Sequence, residues 1–431
     1  MTVAPSAPAL SGDIHDPTSA AYKKARRKHW KSTRNRPENR ADTEWTPFRA
    51  AEKNVLDVAA ADPSRLEETA RGGWRGRADA VECTQISLRG GRTGFMFPGT
   101  PGLVLLPAFA APVDQRSLIR WALCEQAQDP NETNLDTHYV LPKSGLWNTY
   151  IRVLRGECDD EEVVPRASVV VQDESATVPP PPGPRQLISN EPASTDNLVA
   201  LAGTSKPRAS PSQALRPVPI SSLVPKLRWA NIGWFYHWGT KQYDFTKGPG
   251  EIAASVRGVC RSAVDAVPWD EVFSGQNAGP LADWGSHEPD WVNWRETYEP
   301  DAGIVNFYQT NDTLMAHVDR SELCATSPLV SVSLGCAAIF LIGGHTRDEA
   351  PTPILLRSGD VVIMSGPACR RAFHGVPRVL EETLPPHLES TSASDDWDPY
   401  ASHLRTTRVN VNVRQVFPKG FDPVSEMDPR K

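Results

Sequence analysis

The chain lacks the sequence features of secreted, membrane-spanning and disulfide-stabilised proteins. It has no apolar run of roughly 18 residues, and its start carries Asp13 and Asp16 with no apolar core, so we predict neither a membrane span nor a secretory signal. Its seven cysteines are odd in number and never form a Cys-x-x-Cys pair, which argues against a disulfide framework or a structural zinc site. We therefore expect an intracellular protein in a reducing compartment, in the nucleus or cytoplasm, with the mitochondrion left open.

Other absences narrow the function. The glycine-rich turns at 90–95 and 342–344 lack the strand-to-helix context of a phosphate-binding loop, and no internal repeat is present. A net charge of −6 and a pI near 6.0 give no reason to expect that the whole protein attracts nucleic acid, so any such binding must use local patches. The basic run at 23–40 is one such patch, and a phosphate contact, a nuclear import signal and a solvated tail are all open interpretations of it.

Proline and aromatic residues divide the chain into segments. The chain has 40 prolines in 431 residues, which is well above the usual share of about 5%. The stretch from 156 to 219 combines PPPPGP with almost no aromatic residue. Deleting residues 156–211 should therefore change catalysis little. The predicted segments are a basic disordered tail at 1–45, the N-terminal part of the folded domain at 46–155, a Pro-rich disordered linker or insertion at 156–219, a β-rich core at 220–417 and a C-terminal tail at 418–431.

Short apolar segments dominate the second half of the chain. They are IVNFYQ, LVSVSLG, AAIFLIGG, PILLRSG, DVVIMSG and RVNVNVRQV. Many short strands with Gly-rich turns and no helical pattern between them indicate a sandwich or jelly roll. In the first half, GLVLLPAF at 102–109 predicts a strand, and PVDQRSLIRWALCEQ after it predicts an amphipathic helix. The expected fold class is mainly β with flanking helices, including an N-terminal α/β extension.

Three residues form a candidate metal site. His317 and Asp319 stand two positions apart, so in an extended segment their side chains point to the same side about 6.6 Å apart and can converge on one ion. His374 follows at the end of DVVIMSGPACRRAFHG and can complete a 2-His-1-carboxylate set, which suits non-haem Fe(II) oxygenases. An isolated H-x-D is a weak signal, because a surface histidine beside an aspartate is common.

The segment RVNVNVR supplies a second, independent signal. Strict alternation places three valines on one strand face and four polar side chains on the other, namely Arg408, Asn410, Asn412 and Arg414. That face either meets water, as in an ordinary sandwich strand, or lines a cavity and binds an anion. A guanidinium pairs with a carboxylate through two hydrogen bonds, as the distal end of 2-oxoglutarate requires. Asn306 and Tyr308, again two apart, add an amide and a phenol for the co-substrate oxygens.

The motifs N-x-Y, H-x-D, a distal His and R-x-N-x-x-x-R together resemble the AlkB family. The stretches IVNFYQTNDTLMAHVDRSE, SLGCAAIFLIGG, SGDVVIMSG and KLRWANIGWFYHW are similar to the eukaryotic AlkB homologue 1 branch. GLVLLPAF and the helix after it are similar to the entry segment of that branch. The resemblance covers about 95–155 and 222–417, and leaves out the tails and the Pro-rich insert.

The resemblance implies a double-stranded β-helix that binds Fe(II) and uses 2-oxoglutarate and O₂ as co-substrates. The Fe(II) ligands that it implies are His317, Asp319 and His374. The 2-oxoglutarate contacts that it implies are Arg408 at the far carboxylate, with Asn306, Tyr308, Asn410 and Arg414. Family members oxidise a methyl group on a nucleobase, which leaves as formaldehyde, while 2-oxoglutarate becomes succinate and CO₂. The implied activity is therefore nucleic-acid demethylation by a monomer that needs no membrane, with roles in tRNA modification or DNA repair.

Within that family the substrate is left open. The branch favours tRNA carrying a base such as 1-methyladenine, with single-stranded or flipped-base DNA as another substrate. Alternatives are a dioxygenase acting on protein side chains, such as a histone demethylase or hydroxylase, and a catalytically silent nucleic-acid-binding module. The chain departs from the bacterial member in having Ser321 where that enzyme has an acid, and in a longer stretch at 380–403. Candidate substrate contacts are Trp229, Tyr236, Trp238, Ser321 and Glu322, although core packing is the default for the aromatic ones.

Overall fold

The fold was analysed in a computed structural model, which describes residues 45–61, 81–166, 192–204, 206, 211–284, 289–390, 396–418 and 420–426. The predicted basic tail lies outside these residues except for Trp45, and so does the proline-rich centre of the predicted linker. No helix in the described part of the chain is both long enough and apolar enough to cross a membrane. All seven cysteines fall within the described ranges and are free thiols, as the sequence predicted.

Antiparallel strands form the central framework of the described chain. In chain order they are β1 (Thr84–Ser87), β2 (Thr93–Met96), β3 (Leu103–Leu106), β4 (Glu162–Val163), β5 (Val218–Pro219), β6 (Trp229–His237), β7 (Gln242–Pro249), β8 (Ala302–Gln309), β9 (Leu314–His317), β10 (Leu329–Gly335), β11 (Ala338–Ile342), β12 (Thr352–Leu356), β13 (Val361–Met364), β14 (His374–Val379) and β15 (Thr407–Arg414). The six apolar segments named in the sequence all form strands, which confirms the predicted mainly β fold.

Thirteen of these strands form two sheets that face each other, and β4 and β5 pair separately. The larger sheet has nine strands in the order β1-β2-β3-β13-β10-β15-β8-β6-β7, and the smaller has four in the order β12-β11-β14-β9. An apolar cluster joins the facing surfaces and includes Leu103 and Leu329 of the larger sheet with Phe340 and Leu356 of the smaller one. This sheet-on-sheet core is the jelly roll that the turn-rich strand pattern predicted.

Helices flank both sheets of the described chain. They are α1 (Pro47–Ala61), α2 (Pro112–Trp121), α3 (Leu146–Leu154), α4 (Leu198–Gly203), α5 (Ile220–Leu223), α6 (Ala254–Ala266), α7 (Trp269–Val272), α8 (Trp294–Thr297), α9 (Gly366–Arg370), α10 (Asp398–Leu404) and α11 (Pro423–Glu426). The valines of β15 are fully buried in one cluster with Leu118 of α2 and Val256 of α6. The arginines of β15 therefore point to the inside of the fold.

Helices α1 and α2 each have a distinct feature. Helix α1 packs on β9 and β14 of the smaller sheet. Helix α2 starts with a proline at its first turn, where a missing N–H is harmless, and continues as one π-helical turn at Ala122–Gln126. Its position after β3 confirms the strand and amphipathic helix predicted for this part of the sequence.

The assignment of residues 156–219 to a disordered linker is corrected wherever the structure describes them. Strand β4 pairs with β5, and Leu198 of α4 is buried in an apolar cluster with Trp234 and Phe417. The helix has no aromatic residue of its own, so aromatic density could not reveal it. Its packing partners come from β6 and from the segment after β15, both distant in sequence. The remaining segment boundaries stay predictions.

Candidate metal and co-substrate site

A cavity of about 680 Å³ lies between the two sheets and collects nearly all of the candidate site residues. Strands β8 and β15 of the larger sheet contribute Asn306, Tyr308 and Arg408, and β9 and β14 of the smaller sheet contribute His317 and His374. The arrangement follows from strand alternation, because the polar faces of both sheets turn toward each other at this end of the core.

The three predicted metal ligands meet at one point of the cavity. His317 ends β9, His374 begins β14, and the two residues are direct cross-strand partners. Their ring centroids are 4.4 Å apart, and His317 Nε2 lies 3.7 Å from Asp319 Oδ1. One ligand atom from each of the three residues lies within 4.8 Å of those from the other two. The spacing of H-x-D and the strand pairing together bring a 2-His-1-carboxylate set into register.

A hydrogen bond from Nδ1 orients the ring of each candidate metal histidine. His317 Nδ1 donates to the carbonyl of Met315 at 3.0 Å, and His374 Nδ1 donates to the carbonyl of Ala372 at 3.1 Å. A carbonyl can only accept, so each Nδ1 carries the proton and each Nε2 keeps its lone pair. Burial lowers the pKa of His374 to about 4, so its imidazole is neutral at pH 7, as a metal ligand must be. The donor set fits Fe(II).

A buried arginine anchors the carboxylate of the candidate metal site. Arg414 Nη1 donates to Asp319 Oδ2 at 2.8 Å and to Glu322 Oε1 at 2.7 Å. Burial alone would raise the pKa of Asp319, but the charges of Arg414 and the two histidines outweigh it and hold that pKa well below its usual range. One carboxylate oxygen is thus fixed by Arg414, while the other faces His317.

A second buried arginine forms a candidate anion pocket. Arg408 is 1% exposed, its Nη2 donates to Ser333 Oγ at 3.0 Å, and its guanidinium lies 5.5 Å from the ring of Tyr308. Among the residues that the structure describes, its Nε and Nη1 have no hydrogen-bond partner. Burial lowers the pKa of Arg408 to about 10, so the group is still a cation at pH 7. A buried unpaired cation is unfavourable unless an anion joins it, which makes these two nitrogens a fitting contact for a carboxylate.

The neighbours of Arg408 share its strand face. Arg408 pairs across the strands with Tyr308, and Asn410 pairs with Asn306, so all four side chains belong to one face of the larger sheet. Asn410 Nδ2 is already engaged with Ser331 Oγ at 2.8 Å and the Val332 carbonyl at 3.1 Å. Asn410 therefore supports the wall of the pocket, while Asn306 and Tyr308 line it.

Four of the five candidate substrate residues line the cavity, and Trp229 does not. Tyr236 and Trp238 line the cavity, with ring centroids 5.0 Å apart, and Trp238 is 41% exposed. Trp229 is not among the cavity-lining residues and packs against Trp238 at 5.0 Å. Ser321 donates to the Lys241 carbonyl at 2.7 Å at the cavity wall. Glu322 is 1% exposed and holds Arg414, so the structure places it beneath the metal ligands rather than at the exposed mouth.

Two contributions to the site were missed in the sequence. Ser331 and Ser333 of β10 support Asn410 and Arg408, and their alternation in LVSVSLG was a readable signal. Helix α4 was the other omission. Leu201 and Ala193 line the cavity, and Ala193 N–H donates to the Arg320 carbonyl at 2.8 Å. Part of the supposed linker is therefore a wall of the site.

Comparisons with a family model and with known proteins agree on the class of enzyme that this chain resembles. The family model described as "2OG-Fe(II) oxygenase superfamily" matches residues 186–414. The Mus musculus protein named "Nucleic acid dioxygenase ALKBH1" is 31% identical over 353 residues, covering 76% of this chain and 68% of that protein. The "tRNA demethylase abh1" of Schizosaccharomyces pombe is 31% identical over 331 residues, covering 75% and 82%. The "DNA N(6)-methyladenine demethylase ALKBH1A" of Arabidopsis thaliana is 35% identical over 204 residues, covering 46% and 52%.

Proposed function

Because the chain belongs to the 2OG-Fe(II) oxygenase superfamily, we propose that it removes methyl groups oxidatively from nucleic acid, with tRNA as the favoured substrate. The observation that carries the proposal is one cavity that joins a His-Asp-His set to a buried arginine with two unpaired nitrogens. The names of two relatives that match most of the chain support the substrate class.

The residues of the cavity have distinct proposed roles in the reaction. His317, Asp319 and His374 would hold Fe(II), which when bound supplies the oxidation of the methyl group by O₂ coupled to conversion of 2-oxoglutarate to succinate and CO₂. Arg408 would bind the far carboxylate of 2-oxoglutarate and fix its direction in the cavity. Arg414 fixes Asp319, so the ligand set keeps its geometry while substrate enters.

Trp238 supports a nucleobase as the substrate. It is an exposed aromatic ring at the cavity wall, and it is backed by Trp229 and Tyr236. Enzymes that act on a base must take it out of the stack, and a flipped base needs an aromatic or apolar surface to replace its lost neighbours.

Replacing Trp238 by alanine is expected to raise the KM for a methylated oligonucleotide, because base stacking on an aromatic side chain contributes about 1–3 kcal/mol. The affinity for 2-oxoglutarate should not change, since the ring contacts of Trp238 are with Trp229 and Tyr236 and not with Arg408. Trp238→Phe keeps a π face and is the matched control, with a smaller expected effect. Steady-state kinetics with a methylated RNA oligonucleotide measure the KM of both variants. An unchanged KM in Trp238→Ala would show that the base stacks elsewhere.

Helix α4 supports a substrate-facing role for part of the Pro-rich segment. Leu201→Asn is expected to raise the KM for the oligonucleotide several-fold, since a polar group would then face the cavity where an apolar one now lies. Val199→Asn is the matched control, because Val199 is on the same helix and is 61% exposed. The test compares the KM for the oligonucleotide between the two variants, after confirming that their affinities for 2-oxoglutarate are equal. Equal values for the two variants would restore the expectation that this segment is irrelevant to catalysis.

The proposed activity is tested with the purified full chain, Fe(II) and 2-oxoglutarate. Separate reactions receive tRNA carrying 1-methyladenine, single-stranded DNA carrying a methylated base, and methylated histone peptide. We expect succinate release to rise with tRNA and mass spectrometry of its nucleosides to show the methylated base lost. A His374→Ala preparation is the control. Demethylation or hydroxylation of the peptide with intact tRNA nucleosides would overturn the proposal in favour of a protein substrate.

A further inference from the structure

Strand β9 carries a metal-binding histidine at the edge of a sheet. It is the last strand of the order β12-β11-β14-β9, and its described strand partner is β14 alone. Edge strands present a row of backbone groups that need other partners, and they are prone to shift or fray when these are missing. His317 is the final residue of β9, so movement of this edge would displace a metal ligand directly.

One side chain replaces the missing strand at the backbone N–H of Ala316, the residue before His317. Glu52 of helix α1 is 3% exposed, and its Oε1 accepts the Ala316 N–H at 2.7 Å. Its other oxygen accepts from Arg49 Nη1 at 2.6 Å. The helix is held in place by Phe48 and other apolar residues that pack on β9 and β14. A buried carboxylate is thus aimed at one backbone amide.

A second side chain donates a hydrogen bond to the backbone carbonyl of Ala316. Arg347 Nη2 donates to the Ala316 carbonyl at 2.8 Å. The Arg347 guanidinium also lies over the ring of Phe373 at 4.5 Å, and Phe373 is the residue before His374. The backbone of Arg347 accepts the Phe48 N–H at 3.1 Å, which ties it to the start of α1. Arg347 therefore contacts the chain predecessors of both metal histidines.

We propose that Glu52 and Arg347 form a clamp that positions His317 and His374 for metal binding. The clamp takes the place of a fifth strand of the smaller sheet, and it rests on the proposed metal role of the two histidines. Outer contacts that fix the orientation of ligands typically change metal affinity by about 10- to 100-fold when they are removed. Neither residue belongs to the His-Asp-His set, and both contact its backbone neighbours, so both are positioning residues; Arg347 also lines the cavity.

Titration of the full chain with Co(II) in the presence of 2-oxoglutarate tests the clamp, because Co(II) reports binding by its absorption spectrum without turnover. We expect Glu52→Ala to weaken Co(II) binding about tenfold or more and to alter that spectrum. Glu52→Gln should restore both, since an amide oxygen still accepts the Ala316 N–H. Val55→Ala is the matched control: Val55 is fully buried on the same helix but makes no hydrogen bond to Ala316, so its melting temperature should fall with Co(II) affinity unchanged.

Arg347 gives an independent arm if the Glu52 variants are too unstable to titrate. Arg347→Leu should weaken Co(II) binding, and Arg347→Lys should restore it in part, because lysine keeps a donor but loses the planar contact with Phe373. Wild-type affinity in Glu52→Ala or in Arg347→Leu would overturn the clamp while leaving the proposed function intact. Failure of the wild-type chain to bind Co(II) would overturn the metal assignment, and the clamp with it.

Discussion

Replacing His374 by alanine is expected to abolish 2-oxoglutarate turnover, and His317→Ala and Asp319→Ala should do the same. Each change removes one of the three ligands proposed for the metal, and a site with two ligands would hold Fe(II) weakly and in the wrong geometry. His374 is 6% exposed and its Nδ1 is fixed by the Ala372 carbonyl, so alanine removes an oriented donor from a buried position. Succinate release by the purified variants measures the effect.

The three variants should differ in stability although they agree in activity. Asp319→Ala leaves Arg414 beside Glu322 with one carboxylate fewer, so this variant should melt at the lowest temperature of the three. His345→Ala is the matched control for a histidine change. His345 is exposed, and its Nε2 lies 3.1 Å from the Ala368 carbonyl, away from the cavity, so turnover should be retained. Turnover in all three purified ligand variants would contradict the metal assignment.

The sequence was informative wherever a strand pattern and a chemical requirement coincided. The alternation of RVNVNVR by itself separates the buried valines from the arginines, because a strand facing a core on one side and a cavity on the other must alternate. His317 and Asp319 were similarly readable from their spacing. The pairing of His374 with His317 was not readable from spacing, since it depends on the register of β14 against β9.

Features that depend on distant contacts could not be predicted. Glu52 and Ala316 are 264 residues apart in sequence, and nothing near Glu52 marks it as the partner of a particular amide. Helix α4 was misassigned because a short apolar run in a Pro-rich segment buries itself only against rings supplied by other strands. Glu322 was expected to face a substrate, and its role under Arg414 follows from the fold of the loop after β9 rather than from its sequence position.

Arg408 is expected to control the affinity for 2-oxoglutarate. Arg408→Lys keeps a positive charge but loses the planar pair of donors, so co-substrate binding should weaken by about 1.5–3 kcal/mol, the range for hydrogen bonds to charged groups. Metal affinity should change far less, because Arg408 is not in the His-Asp-His set. Titration of 2-oxoglutarate against the Fe(II) enzyme under anaerobic conditions measures the difference, and Ser333→Ala is the milder control because it removes only the existing partner of Nη2.

Arg408→Met separates an anion pocket from an ordinary core arginine. In the absence of 2-oxoglutarate the wild-type chain buries a cation whose Nε and Nη1 have no partner among the described residues, so the methionine variant should melt at a higher temperature. Saturating 2-oxoglutarate should then stabilise the wild type, by about 2.7 kcal/mol at 100 times its Kd, and leave the variant unchanged. Thermal melts with and without 2-oxoglutarate, with Mn(II) in place of iron, test both expectations: the higher melting temperature of the variant without 2-oxoglutarate, and stabilisation of the wild type alone when 2-oxoglutarate is added. If 2-oxoglutarate stabilises Arg408→Met as much as the wild type, the carboxylate binds elsewhere in the cavity.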